Sequence, residues 1–439
     1  MGSHQRAKNT FVRNNSIQAI AQCWHMFTPG IKAHSMSTAK AEAGTVKGRI
    51  ESIDLLRGIV MVIMAIDHIR DFFHLDSWLV SPTNIQLTTP GIFYTRWITH
   101  LCAPTFIFLA GTSAYFVARR KTVKETSFFL LTRGLWLVAL QATLVRFAWT
   151  FDPLFHYNSS SIISTIGISM VVLSLLIRFK MNVILVFGLI TVFGHNALDG
   201  IAFERGTIAD VLWTFLHGPV TRYQLSNGYS FNFLFSLIPW VGVMALGYCF
   251  GQIFSSDLSI EKRRKILVLL GTTCLLTFTV LRFTNWYGDP SDWKVQPELV
   301  RSIMSFFNVT KYPPSLSFLM VTLGVSLLLL AALEGKSLKR WSPVTLFGKV
   351  AIFYYVMHLF VIHFFALVVV VWSGYSWKTM IMTGSPTGGS PDLIKQNFGF
   401  GLGGVYLIWV IVILTLYPLC VWWNKVKIRN KEKWWVSYV

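Results

Sequence analysis

Arg57 and His68 stand eleven residues apart in the segment Asp54-Leu55-Leu56-Arg57-Gly58-Ile59-Val60-Met61-Val62-Ile63-Met64-Ala65-Ile66-Asp67-His68. Such an apolar run reads as a transmembrane helix. Eleven residues at 3.6 per turn bring two side chains within about 20° of one face and about 16 Å apart along the axis. Charged groups inside a membrane helix are costly, so they line a cavity or pathway rather than face lipid. One helix therefore offers a guanidinium near one membrane face and an imidazole near the other. Asp67 precedes His68, and a carboxylate beside an imidazole can fix its tautomer and raise its basicity, as a general base requires. The competing reading, that these residues only mark a helix end in headgroup water, is the one we adopt for Asp71 and Asp76. His68 lies about 7 Å short of the end of the span on a 1.5 Å rise, so function is favoured there.

Other polar groups gather at the same level. His100 opens the next apolar span in Arg96-Trp97-Ile98-Thr99-His100-Leu101-Cys102-Ala103-Pro104, where it either caps a helix at the interface or joins the site. Pro104 frees a backbone carbonyl, and Gly111 and Ser113 permit close helix contact. Arg133 and Gly134 lie early in the third span and Arg146 near its outer end; His195-Asn196 closes the fifth. Pro239-Trp240 is expected to kink the sixth. Asn285-Trp286-Tyr287-Gly288-Asp289-Pro290 with Trp293 combines turn formers with aromatics, as in a loop that closes a site. His358 and His363 are five residues apart and face different ways, so they are not an i,i+4 metal pair. The five cysteines include no Cys-x-x-Cys spacing, so neither a zinc site nor a disulfide framework is expected.

These groups must be positioned by membrane helices. Of 439 residues 53% are hydrophobic and 13% charged, about half the charged share of a soluble protein. The expected fold is all-α, a polytopic transmembrane helix bundle. We read ten apolar spans, at 53–73, 98–118, 128–149, 161–178, 181–197, 232–253, 265–282, 315–333, 347–372 and 402–424. Every second connection is basic: Lys47 and Arg49, Arg119-Arg120-Lys121, Arg178-Phe179-Lys180, Lys262-Arg263-Arg264-Lys265, Lys336 with Lys339 and Arg340, and the tail from Lys425 to Lys433. That alternation predicts ten helices with both termini cytoplasmic. It also accounts for the net charge of +20, so nucleic-acid binding is not expected. Residues 1–46 are polar and basic without an apolar core and read as a disordered tail. The membrane domain then occupies 47–425, with a basic tail at 426–439. The segment 373–401, with Gly384-Ser385-Pro386-Thr387-Gly388-Gly389-Ser390-Pro391, reads as a flexible outer loop.

Ser52-Ile53-Asp54-Leu55-Leu56-Arg57-Gly58 before a hydrophobic helix resembles the opening of the heparan-alpha-glucosaminide N-acetyltransferase catalytic-domain family, and of its bacterial members above all. The string Arg96 to Pro104 with Phe106 to Gly111 strengthens the resemblance. So do Leu131-Thr132-Arg133-Gly134-Leu135-Trp136, His195-Asn196, Ile238-Pro239-Trp240 and Tyr287-Gly288-Asp289-Pro290. The likeness covers nearly all of residues 49–424. The spacing of Arg57 and His68 is also similar to that of the wider membrane acyltransferases that modify surface polysaccharides.

The resemblance implies an integral-membrane acyltransferase, in a bacterial inner (plasma) membrane. Acetyl-CoA would be the acyl donor, without a metal, and a hydroxyl or amine of a sugar or glycan outside the cytoplasm the acceptor. The essential histidine of the polysaccharide acyltransferases maps to His68. In the lysosomal member an asparagine stands there and a histidine follows the helix, before Ser-Trp; here His74 precedes Ser77-Trp78 with one extra residue. His68 therefore ranks first and His74 second. His68, oriented by Asp67, would act as general base or transient acyl carrier. His100 or His195-Asn196 would hydrogen-bond the thioester oxygen. Arg57, with Asp54 beside it, and Arg133 would hold the CoA phosphates. Homodimer formation stays open. The alternative is a transporter or flippase for a polar or lipid-linked substrate, for which ten helices, intramembrane charges and Pro- or Gly-interrupted spans would also serve.

Overall fold

The computed structural model describes residues 50–438 except 76, 78, 255–257, 337–341, 385–392 and 394–397. The tail 1–46, Lys47, Arg49, Asp76, Trp78, Lys339, Arg340 and most of the Gly/Pro-rich loop from Gly384 to Pro391 thus lie outside the described residues.

Helix α1 (Glu51–Phe73) carries Glu51 and Asp54 in its first turn and Arg70 in its last, signs that suit the helix dipole at each end. It is followed by α2 (Pro90–Thr99), α3 (Cys102–Ala118) and α4 (Val123–Leu140). A π-helical turn (Gln141–Val145) leads into α5 (Arg146–Thr150). Then come α6 (Ile162–Leu176), α7 (Met181–Gly194) and α8 (Ile208–Leu216), followed by α9 (Ile238–Phe250), α10 (Ile260–Thr284) and α11 (Leu299–Phe307). The last are α12 (Leu316–Leu333), α13 (Ser342–Lys349), α14 (Ala351–Trp372) and α15 (Leu402–Arg429).

Each of the ten expected spans contains a helix, although 98–118 runs from α2 into α3 and 347–372 from α13 into α14. Among the described residues seven segments are long and apolar enough to cross a membrane: α2 with α3, α4 through α5, α7 with the turn after it, α10, α12, α14 and α15. The fold is an all-α polytopic bundle. Helices α6 and α9 are apolar but shorter. Helix α1 sits inside, touching α2, α3, α12, α13, α14 and α15. Close approach there depends on glycine. A Cβ on Gly58 would collide with the carbonyl of Val344, and one on Gly348 with that of Asp54. Gly111 of α3 similarly faces the Met244 carbonyl of α9, and Gly247 the Phe108 carbonyl, as the small residue at 111 led us to expect.

Two local readings need correction. Pro239 is the second residue of α9 and does not kink a longer helix. A proline there removes no intrahelical bond, because the first amides of a helix have no partner to lose. The start of that expected span, Asn232 and Phe233, belongs instead to a strand, β3 (Ser230–Phe233). It pairs in parallel with β1 (Tyr157–Ser160) and antiparallel with β2 (Thr221–Gln224). This small sheet is built from two of the loops expected on the outer side. Pro104 behaves as expected. It has no amide to give the His100 carbonyl, and the chain tightens at His100–Leu101, where His100 N–H bonds to the Trp97 carbonyl at 3.0 Å.

Candidate active site

A cavity of about 730 Å³ lies beside the C-terminal half of α1. Met64, Asp67, His68 and Asp71 of α1 face it, with Arg96 and His100 from the next helices. The π-helical turn precedes α5, which adds Arg146 and Trp149. The sheet supplies Tyr157, Ser159 and Asn232. The long loop after α10 supplies Ser291 and Asn308 to Tyr312, and this loop is fixed from below. Arg282, only 2% exposed, donates to the carbonyls of Phe306, Ser305, Ser291 and Asn308. Asp289 accepts from Thr310 and Ser315.

Inside this cavity His68 is held by packing. Its ring meets Trp149 edge-on at 4.7 Å and lies 5.2 Å from the ring of His358. Among the described residues its Nδ1 has no hydrogen-bond partner. The expectation that Asp67 orients His68 is not met: among the described residues Asp67 pairs with Arg96 and, at 3.1 Å, with Arg70. Neighbours on a helix point about 100° apart, so adjacency in sequence does not bring the carboxylate to the ring. Arg70 also pairs with Asp71 at 2.8 Å. His100 is buried, packs against Phe318 at 5.4 Å, and leaves its Nδ1 without a partner.

A second cavity of about 610 Å³ lies beside the N-terminal half of α1. Arg57, Arg120, Arg133, Lys349 and Lys427 line it, and among the described residues no Asp or Glu does. Arg57 is fixed by Asp54 at 3.2 Å and by the Ser113 hydroxyl at 3.0 Å. Arg133 lies over the Phe129 ring at 5.7 Å. Five cations lining one cavity, with Asp54 bonded to Arg57, favour an anion of high charge, such as a phosphorylated ligand.

The two cavities share a wall. Phe106, Ile162 and Tyr355 line both. Helix α1 runs past that wall, with Arg57 and Met61 on the cationic side and Met64, His68 and Asp71 on the other. Steps of four and three residues keep this stripe on one helix face.

Residues 49–283 match the family described as Heparan-alpha-glucosaminide N-acetyltransferase, catalytic, which covers more than half of the 439 residues. The chain belongs to this family. No curated protein matches it. The family's match runs from α1 almost to the end of α10, so Arg57, Asp67, His68, His100 and Arg133 lie within it. Lys311, Lys349, Tyr355 and Lys427 complete the two cavities from beyond it.

The sequence-derived candidates thus separate into three places. Asp67, His68 and His100 share the first cavity; Arg57 and Arg133 share the second, with Asp54 bonded to Arg57. His74, His195 and Asn196 line neither. His74 caps α1, buried, and its backbone bridges to Phe400. His195 and Asn196 sit at the far end of α7, where the Asn196 side chain receives the amide of Leu316. That end adjoins the start of α12, as His100 does through Phe318, and is therefore remote from Arg57. Sequence reasoning missed Trp149, Lys311, Lys349 and Tyr355. Tyr355 gave one signal, a phenol inside a strongly apolar span.

Proposed function

We propose that this chain transfers an acetyl group across the membrane, from acetyl-CoA in the cationic cavity to a sugar hydroxyl or amine in the histidine cavity. The observation that carries this reading is the shared wall of Phe106, Ile162 and Tyr355, with cations on one side and His68 on the other. The basic loops and tail that supply Arg120 and Lys427 are cytoplasmic by the positive-inside rule, so CoA would enter there. A CoA molecule is about half to two-thirds as long as the ~30 Å hydrocarbon core. That length matches the ~16 Å between Arg57 and His68 on α1. With its phosphates on Arg57 and Arg133, its thioester reaches the wall.

In this reading the acceptor attacks the thioester carbonyl carbon and His68 takes the proton that the acceptor loses. The carbon–sulfur bond breaks and CoA leaves as the thiolate. Asp67 serves by fixing Arg96 and Arg70 rather than by touching the imidazole. His100 is available to hydrogen-bond the developing oxyanion. In the same cavity Arg146 is 2% exposed, with Nε and Nη2 unpartnered, and Lys311 stands nearby, so an acceptor bearing an anionic group fits.

The test uses the full chain in sealed vesicles oriented with the cytoplasmic face outward. Acetyl-labelled acetyl-CoA is supplied outside and amino sugars and uronic acid-containing oligosaccharides inside. Label on the enclosed sugar is the expected result. Sugar crossing the membrane unlabelled, with no CoA binding, would replace this reading with transport.

A further inference from the structure

His195 is one of the most deeply buried polar residues, 1% exposed, and among the described residues neither of its ring nitrogens has a hydrogen-bond partner. A buried imidazole left so is unfavourable, since it has given up water at both nitrogens for nothing. Its surroundings supply a reason. His217 is 2% exposed and its ring lies 5.5 Å from that of His195. The Nε2 of His217 is 2.8 Å from Oδ1 of Asp199, while its Nδ1 is also unpartnered. One ligand atom from each of His195, Asp199 and His217 lies within 4.8 Å of the others.

We infer that these three residues bind one transition-metal ion, zinc by preference. Two imidazoles and one carboxylate are a set suited to a borderline metal; calcium and magnesium take oxygen ligands and are disfavoured. Tetrahedral zinc with bonds near 2.0–2.1 Å places its ligands about 3.3 Å apart. Small side-chain rotations adjust the observed cluster to that size. Asp199 is already steered, because Asn196 Nδ2 donates to its other oxygen at 2.7 Å while Asn196 Oδ1 holds the Leu316 amide. Such support beyond the ligands is typical of metal sites. The fourth position faces the side where the Asp199 side chain is 24% exposed, so water completes the shell.

The ion joins the end of α7 to the end of α8. Three residues after His217, Val220 lines the histidine cavity, and β2 and β3 follow. The metal therefore staples a wall of that cavity to the bundle. His195 and His217 are 22 residues apart, which no short metal motif would reveal. The proposal is independent of the acetyl-transfer reading, and its test needs no activity.

The full chain, without an affinity tag, is purified in detergent, stripped with EDTA and supplied with zinc or cobalt(II). The expected result is one zinc per chain by elemental analysis and a higher melting temperature with zinc than without. Zinc affinity should fall about tenfold or more in His195→Ala and in His217→Ala. Cobalt(II) should give the strong visible absorption of a four-coordinate site. If both variants fail to fold, the wild-type cobalt spectrum decides, and only the weak bands of a six-coordinate ion would overturn the assignment. Zinc retained equally by both variants, or a melting temperature indifferent to zinc, would also overturn it.

Discussion

Arg57 and His68 lie on one face of α1, the first lining the cationic cavity and the second the histidine cavity. The wall formed by Phe106, Ile162 and Tyr355 stands between the two cavities. A rigid helix thereby fixes the distance between Arg57 and His68. In the proposed reaction donor binding and chemistry would be coupled by this backbone geometry rather than by loop closure, and the two ends could be disabled separately.

His68→Ala is expected to abolish acetyl transfer, a loss of at least about 10²-fold for a general base. Acetyl-CoA binding by calorimetry and insertion into membranes should be unchanged. His74→Ala is the control, since His74 lines neither cavity. Its activity should stay within a fewfold of wild type. Full activity in the His68 variant with loss in the His74 variant would reverse the assignment.

Arg57→Gln and Arg133→Gln should weaken acetyl-CoA binding, each by roughly 10- to 100-fold, the worth of one charge-assisted hydrogen bond. The affinity of either variant should respond less steeply to salt than that of wild type. Desulfo-CoA, which keeps the phosphates and lacks the thiol, should lose as much affinity as acetyl-CoA does. If the variants weaken acetyl-CoA but not desulfo-CoA, the two arginines do not hold the phosphates.

The helices and their order were legible because membrane spans are written in long apolar runs and basic loops. Arg57 and His68 were legible because a single helix relates them, and helical periodicity suffices. What hydropathy does not encode is contact between helices. Lys349 at the end of α13 and Tyr355 of α14 reach the cavities from about 280 residues beyond α1. The sheet was hidden for another reason. Four-residue strands such as Tyr-Asn-Ser-Ser at 157–160 are polar and too short to show alternation. The pairing of Asp67 with Arg96 rather than with His68 depends on how α2 docks, which the sequence of α1 does not contain.

Gly111→Ala should destabilise the bundle by about 1–3 kcal/mol, the usual penalty for forcing volume into a packed contact. The added methyl would meet the carbonyl of Met244 and the amide of Tyr248, which are backbone atoms of α9 and cannot rotate away. Gly194→Ala should be nearly neutral, because a Cβ there meets nothing within 4 Å. Thermal melting in one detergent compares the two. Equal melting temperatures would show that α3 and α9 are less tightly apposed than the structure has them.

Asp152 makes stability depend on pH in a defined direction. Burial pushes its carboxyl up, but hydrogen bonds from the amides of His156 and Leu154 and from the His156 ring outweigh this and hold it below the usual carboxylate range. A carboxyl whose pKa is depressed by folding stabilises the fold above its unfolded value of about 3.9, and that stabilisation is lost as pH falls through the lower folded value. The turn it ties follows Phe151, which has a left-handed backbone (φ 48°), and leads into β1, whose Tyr157 and Ser159 line the histidine cavity. Asp152→Asn should therefore lower stability by about 1–2 kcal/mol at neutral pH. Wild type and variant should converge as the medium is acidified below the unfolded value of about 3.9 and on through the lower folded one. Melting curves that stay parallel from pH 7 to about pH 3 would mean that this carboxylate contributes nothing through its charge.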